Sequence, residues 1–322
     1  MSIGSVKAVV EAGGAEIPRL MERVERRMGE LARGHGPLLG QYAGETIAAG
    51  GKRLRPLLVC LAAGVPAPES EALVRAAVAV ELVHAATLVH DDVLDNSSLR
   101  RGQPTVVAAA GRRIASATGD LLFSRAFAEL ADAGAPQAVR VLARASSELA
   151  AGELMQRADS WNSAITRERY LERCRLKTAV LFRAACELGA LAGGGDATGL
   201  GAFGERIGLA FQILDDVLDV SGPPERTGKP QGADLLDGTV TLPLIVARER
   251  DPGLAAIDLR TVQSADQARV VCEQIAATGA LDVARRQALE LVGGAKTVLP
   301  AMSDRQRVAL GLVADGVVQR YA

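Results

Sequence analysis

Apolar residues return along this chain at helical spacing far more often than in alternation. Leu200, Phe203, Ile207, Phe211, Leu214 and Leu218 step by three or four residues, which puts them on one face of a helix. Ser70 stands where an N-cap belongs and predicts a helix from Glu71 to about Asp95. Strand-like alternation is scarce and β-branched runs are short. Breaks are expected at "GVPAPES", "NSSLRRGQPT", "ADAGAPQ", "LAGGGDATG", "SGPPERTGKPQG" and "RERDPG". None is long or biased enough to be a flexible linker. The expectation is a single all-α domain over residues 1–322, with roughly ten or more helices.

Two of these helices end unusually. "LVHDDVLDNSS" (Leu88 to Ser98) closes a long apolar run with three aspartates, and "FQILDDVLDVSG" (Phe211 to Gly222) repeats its DDVLD core. A solvated charged face is a poor account of either. Asp91 and Asp95 are i and i+4, with Asp92 about 100° round, so three like charges crowd one turn. A helix C-terminus carries partial negative charge and disfavours carboxylates. The apolar approach implies partial burial and a desolvation cost. A cation would remove all three difficulties. Ligands offering only oxygen suggest a hard ion such as Mg2+, which takes one or two carboxylates plus water and substrate phosphate. The candidate metal ligands are Asp91, Asp95, Asp215 and Asp219.

A metal held this way calls for an anionic substrate, and basic residues flank both clusters. "GGKRLRP" sets Lys52, Arg53 and Arg55 before Pro56; "LRRGQPT" sets Arg100 and Arg101 just after the first aspartates. "RLKTAVLF" offers Lys177 with Thr178, and "RTGKPQGAD" offers Lys229 after the second cluster. Arg presents a planar fork to phosphate oxygens and Lys a compact charge. Together they suggest a diphosphate site.

The bulk numbers narrow the field. At 48% hydrophobic and 23% charged the chain can bury a sizeable core, and a formal charge of -1 gives no global field for nucleic acid. Cys60, Cys174, Cys186 and Cys272 have no CxxC spacing and read as reduced core thiols of a cytoplasmic protein. The first twenty residues hold no continuous apolar segment, and no run of about 18 apolar residues predicts a transmembrane span, though peripheral membrane contact stays open. "ELVH" is a single ExxH where a di-iron bundle needs two. The His90-Asp91 pair of a metal phosphohydrolase would need more histidines than His35 and His84. Walker A, dinucleotide and nucleophile-elbow patterns are absent.

From "GGKRLRP" through "ELVHAATLVHDDVLDNSSLRRGQPT", "TGDLLFSRAF", "AGELMQ", "RLKTAVLF" and "GLAFQILDDVLDVSG" to "GKPQGADLLDGTVTLPLI", the chain resembles the trans-isoprenyl diphosphate synthases of the polyprenyl synthetase family, most of all long-chain bacterial members. The resemblance covers about residues 45 to 250. It implies an antiparallel helix bundle around a deep central cavity, acting as a homodimer with no nucleic-acid partner. It implies that isopentenyl diphosphate condenses with an allylic diphosphate primer under Mg2+, three ions in all. Asp91 and Asp95 would hold Mg2+ on the allylic diphosphate, Asp215 the third ion with Asp219 nearby, and Asp92 and Asp216 would support them. Arg100, Lys177 and Lys229 would bind the allylic diphosphate; Lys52, Arg55, His84 and Arg101 would bind isopentenyl diphosphate; Thr178 and Gln212 would face the carbocation. One departure stands out: many relatives carry a lysine before "TLP", and Thr239 stands there.

Product length is expected to depend on the helix face below Asp91. Thr87 and Val83 lie one and two turns deeper on that face, about 6 Å apart, with Ala86 flanking them. Short-chain members of the resembling family commonly place an aromatic at the position of Ala86. Its absence suggests an open tunnel and a long-chain product, stopped by a later helix around Val139 to Leu142; geranylgeranyl diphosphate is the alternative. A terpene cyclase would carry a different second metal motif, and a non-catalytic subunit of a heteromeric synthase would be expected to lose aspartates or cations.

Overall fold

The computed structural model describes residues 3–32, 36–49, 51–64, 70–100, 102–223 and 230–319. It is all-α. The long helices are α1 (Ile3–Gly13), α2 (Glu16–Ala32), α3 (Gly36–Ala48), α4 (Leu54–Ala62), α5 (Glu71–Leu94), α6 (Val106–Asp132), α7 (Pro136–Asp159) and α8 (Arg167–Cys174). A π turn, Arg175–Ala179, leads into α9 (Val180–Gly193), and α10 (Ala197–Ser221) follows. Short α11 (Ala233–Leu236), α12 (Leu242–Arg248) and α13 (Pro252–Ala255) precede α14 (Ala265–Ala277), α15 (Ala280–Thr297) and α16 (Asp304–Gln319). The only strands among the described residues are two-residue arms, β1 (Leu99–Arg100) and β2 (Gln103–Pro104), paired antiparallel with Arg100 opposite Gln103.

The centre of the bundle is α5, packed along α6 and also against α4 and α9. Ser70 caps it as the sequence predicts, its Oγ accepting from the Leu73 amide at 3.3 Å. The helix ends at Leu94, and the Asp95 amide closes the last turn on the Asp91 carbonyl at 2.8 Å. By length and hydropathy α5 is apolar enough to cross a membrane, but 72% of that stretch is buried inside the fold. Its buried residues extend well beyond one stripe, from Leu73 to Val93. A helix apolar nearly all round is a core helix here, because neighbours cover it on several sides.

The second aspartate helix, α10, packs on α9, on the π turn and on α15. Two glycines set how closely the pieces approach. A Cβ at Gly208 of α10 would stand 2.6 Å from the Ala179 Cα, and one at Gly152 of α7 would stand 2.7 Å from the Lys177 amide nitrogen. Neither distance is sterically tolerable, so only glycine lets α7 and α10 close on the π turn from two sides. That closure carries Lys177 and Thr178 to the ends of α5 and α10.

Candidate active site

The C-terminal ends of α5 and α10, the π turn, the end of α7 and the segment from Asp234 to Thr241 enclose a cleft of about 240 Å³. Asp91 and Asp95 enter from α5, Gln212 and Asp216 from α10, and Lys177 and Thr178 from the π turn. Gln156 and Arg157 come from α7, and Arg100 comes from β1. Residues separated by more than a hundred positions thus share one polar cleft.

Its hydrogen bonds run in a chain. Thr178 Oγ1 donates to Gln212 Oε1 at 2.6 Å, and Gln212 Nε2 donates to Asp216 Oδ1 at 2.7 Å. Tyr170 of α8, fully buried, donates its hydroxyl to Asp216 Oδ2 at 2.6 Å. The carboxylate therefore fixes which way the Gln212 amide faces, since only the NH2 end can donate to it. Burial, reinforced by the nearby Asp234 charge, lifts the Asp216 carboxyl well above the ordinary range; the Tyr170 and Gln212 bonds and Arg173 pull it back only in part. Arg173 is buried, donates to the Val240 carbonyl at 2.5 Å, and lies 4.0 Å from Asp159.

The first cluster is divided among different partners. Asp92 is buried and gripped by Arg100 Nε at 2.9 and 3.1 Å and by Nη2 at 2.8 Å. Asp95 Oδ1 accepts from Arg157 Nη2 at 2.6 Å. No hydrogen bond or ion pair from the described residues reaches the Asp91 carboxyl. Burial pushes that carboxyl up to about 6, opposed by the charges of Lys177 and Arg100 and reinforced by those of Glu153 and Asp95. Lys177 Nζ donates to Glu153 Oε2 at 2.5 Å, and Arg157 Nε donates to Glu153 Oε1 at 2.9 Å. Burial alone would raise Glu153, but these two cations outweigh it and hold its carboxyl below the usual value.

A second cavity of about 580 Å³ lies between α3, α5 and the β1–β2 hairpin. His84 opens into it together with Leu88 and Asp92, an i, i+4, i+8 stripe. His84 thus shares a cavity with Asp92 and Arg100. Arg100 lines both cavities. Arg53, with φ of 47°, holds a left-handed conformation that costs a non-glycine residue energy. Its guanidinium donates to Glu25 at 2.6 and 3.2 Å, to Glu81 at 3.0 Å and to the Ile47 carbonyl at 2.7 Å. The segment carrying Lys52 and Arg55 is clamped in this way. Lys52 is exposed. Arg55 lies with its guanidinium 4.8 Å over the Phe182 ring, and its buried Nε has no hydrogen-bond partner. Such a donor is costly to bury unless something fills the site.

Several expected residues fall elsewhere. Asp215 and Asp219 do not line the 240 Å³ cleft, and of the second cluster only Asp216 does. Asp219 Oδ2 instead accepts from the Asp234 amide at 3.3 Å. Among the described residues no three acidic or imidazole side chains converge as a closed metal cage. A hard ion that keeps water and phosphate in its shell does not require one. Arg101 and Lys229 lie outside the described residues. Val83 and Ala86 are fully buried in the core, and Thr87 donates to the His84 carbonyl at 2.8 Å. Thr239 lines the cleft. Sequence reasoning missed Glu153, Arg157, Tyr170 and Arg173. Glu153 sits inside the quoted "AGELMQ", but nothing in its spacing ties it to Lys177.

The Polyprenyl synthetase family profile matches residues 37–277. The heptaprenyl diphosphate synthase component 2 of Geobacillus stearothermophilus is 46% identical over 226 residues, covering 69% of this chain and 70% of that protein. The octaprenyl diphosphate synthase of Escherichia coli is 35% identical over 291 residues, covering 88% and 90%. The crystal structure of a Caulobacter crescentus polyprenyl synthase, complexed with calcium and isoprenyl diphosphate, superposes with a TM-score of 0.85 at 36% identity, covering 98% of each chain.

Proposed function

This chain belongs to the polyprenyl synthetase family, and from that premise we propose that it condenses isopentenyl diphosphate with an allylic diphosphate to build a long, all-trans polyprenyl diphosphate. The family makes the chain a polyprenyl diphosphate synthase, a prenyltransferase. The convergence of Asp91, Asp95, Lys177, Thr178, Gln212 and Asp216 in one cleft carries the assignment of the site. We take the whole chain as one catalytic domain.

An all-oxygen donor set, with an Asp91 carboxyl that burial raises despite the charges of Lys177 and Arg100, fits Mg2+. Asp91, Asp95 and Asp215 would hold it, with Asp219 nearby, three ions in the full complex. Mg2+ there supplies charge neutralisation on the diphosphate leaving group. The chain's own groups do the rest. Lys177 and Arg100 hold the allylic diphosphate in the cleft, a role the family likeness also gives Lys229, and favour cleavage of the allylic C–O bond because negative charge develops on the departing oxygen. Thr178 spends its proton on Gln212, whose amide is turned by Asp216. The Thr178 oxygen therefore keeps its lone pairs for the allylic cation. Lys52, Arg55 and His84, with Arg101, hold isopentenyl diphosphate, and the unpartnered Arg55 Nε supports an anion there. The new C–C bond forms from the isopentenyl double bond, and the proton lost afterwards passes to the departed diphosphate. Val83, Ala86 and Thr87, with no aromatic among them, would be the face along which the tail elongates.

The four cysteines are buried free thiols, which suits the reducing cytoplasm. The homodimer of the proposal is carried by the family likeness. Incubation with isopentenyl diphosphate, an allylic diphosphate and Mg2+, followed by mass spectrometry, tests the reading. Linear products longer than the primer are expected; cyclic hydrocarbon or no product would overturn it. Asp91→Ala and Asp215→Ala should each cut turnover by orders of magnitude. A second reading is favoured by the words "component 2" in the name of the Geobacillus relative: the chain is one part of a two-component synthase. Full activity of the purified chain alone would reject that reading.

A further inference from the structure

We infer that Arg157 is a substrate-binding residue of this site, one that gives up Asp95 when a divalent cation arrives and turns its freed guanidinium on the diphosphate. The inference rests on the prenyltransferase reading above and adds to it a group that no motif named.

Four cations line the cleft: Arg100, Arg157, Arg173 and Lys177. Arg100 is locked on buried Asp92 by three contacts between 2.8 and 3.1 Å. Arg173 is spent on the Val240 carbonyl and is buried. Lys177 is held by Glu153. Arg157 differs. Its side chain is 41% exposed, and its partner Asp95 is 39% exposed. Nε is anchored on Glu153, Nη2 is on Asp95, and Nη1 makes no hydrogen bond to the described residues. The arginine is therefore anchored at Nε, and at its tip only the Asp95 contact, among the described residues, holds it.

Asp95 cannot serve two cations equally. A divalent ion on that carboxylate repels a guanidinium nitrogen standing 2.6 Å from its Oδ1. The Glu153 contact keeps the displaced group in the cleft and limits its swing to the free Nη pair. A planar fork with two free nitrogens matches the oxygens of a diphosphate. Asp234, Asp237, Thr239 and Thr241, which also line the cleft, carry no positive charge. Arg157 can thus join Lys177 and Arg100 on the diphosphate once the site is loaded.

Two ligands pull the prediction in opposite directions. Mn2+ binding, followed by the electron paramagnetic resonance of the free ion, should tighten about threefold or more in Arg157→Gln, because a competitor for Asp95 is gone. Inorganic diphosphate binding at saturating Mn2+, measured by calorimetry, should weaken about tenfold, the scale of losing one charge-assisted hydrogen bond to an oxyanion. Arg157→Lys should recover part of the second loss. A residue that merely braced α7 would weaken both or change neither, and either result overturns the assignment, as does unchanged diphosphate affinity alone. If the wild-type protein fails to bind diphosphate in the presence of Mn2+, the reading of the site itself falls, and this assignment with it.

Discussion

Asp91→Asn sets catalysis against stability and yields opposite changes from one atom. In metal-free protein, burial carries the Asp91 carboxyl from 3.8 to about 6. The folded chain therefore still holds this proton through a window in which the unfolded chain has released it. Stability falls as pH climbs from about 4 to about 6 and stays at the lower level above that. The displacement corresponds to roughly 3 kcal/mol between the two protonation states. The carboxylate faces a cleft that admits water, and screening reduces the cost, so we expect Asn to stabilise the metal-free protein by about 1–2 kcal/mol at about pH 7.5. In a chain of this size that is about 2–6 °C in Tm. Calorimetry in EDTA would measure it, with a second series at about pH 4.5, where the wild-type carboxyl is already protonated and the difference should largely close. Turnover under saturating Mg2+ should meanwhile fall by about a thousandfold, because the variant loses a charged metal ligand. A variant Tm equal to or below wild type near neutral pH, or a gap that persists in acid, would refute the claim that burial makes the Asp91 charge costly in the metal-free protein.

Further outcomes follow from the same geometry. Tyr170→Phe leaves Asp216 Oδ2 without its 2.6 Å donor inside the fold, so it should destabilise by about 1–3 kcal/mol in calorimetry and lower kcat with it, as the Gln212 amide loses its fixed orientation. Thr239→Lys adds a charge to the cleft wall and should tighten diphosphate binding by roughly 0.5–1.5 kcal/mol by calorimetry; weaker binding of both substrates would show that the side chain does not serve the site. Ala86→Phe places a ring in the fully buried face below Asp91, and product analysis should show farnesyl or geranylgeranyl diphosphate with the first condensation preserved. An unchanged product distribution from a folded, active variant would put the length-limiting floor on another helix.

How much of this was written in the sequence depends on the range over which each feature is encoded. The helical period, the Ser70 cap and the end of α5 at the first aspartates were legible, because caps and periodicity act over a few residues. The repeated DDVLD and the Lys177-Thr178 pair announced diphosphate chemistry for the same local reason. The i, i+4 spacing of Gln212 and Asp216 puts them on one face of α10, where the structure joins them by a hydrogen bond. What the tertiary structure alone decided is how those local pieces divide their charges. Nothing in the spacing says that Arg100 takes Asp92, that Arg157 takes Asp95 from 62 residues away, or that Asp91 is left without a hydrogen bond from the described residues. Nor does it say that Tyr170 lies under Asp216, or that Gly152 and Gly208 let two helices close on a π turn. His84 shows the limit on a single helix: its own α5 face was readable, but the cavity it meets is shaped by α3 and the β1–β2 hairpin. Short-range rules determine the elements and the chemistry they carry. Which carboxylate stays available to a cation is settled by long-range packing, because a charge is stabilised or stranded by whatever the rest of the chain brings within a few ångströms of it.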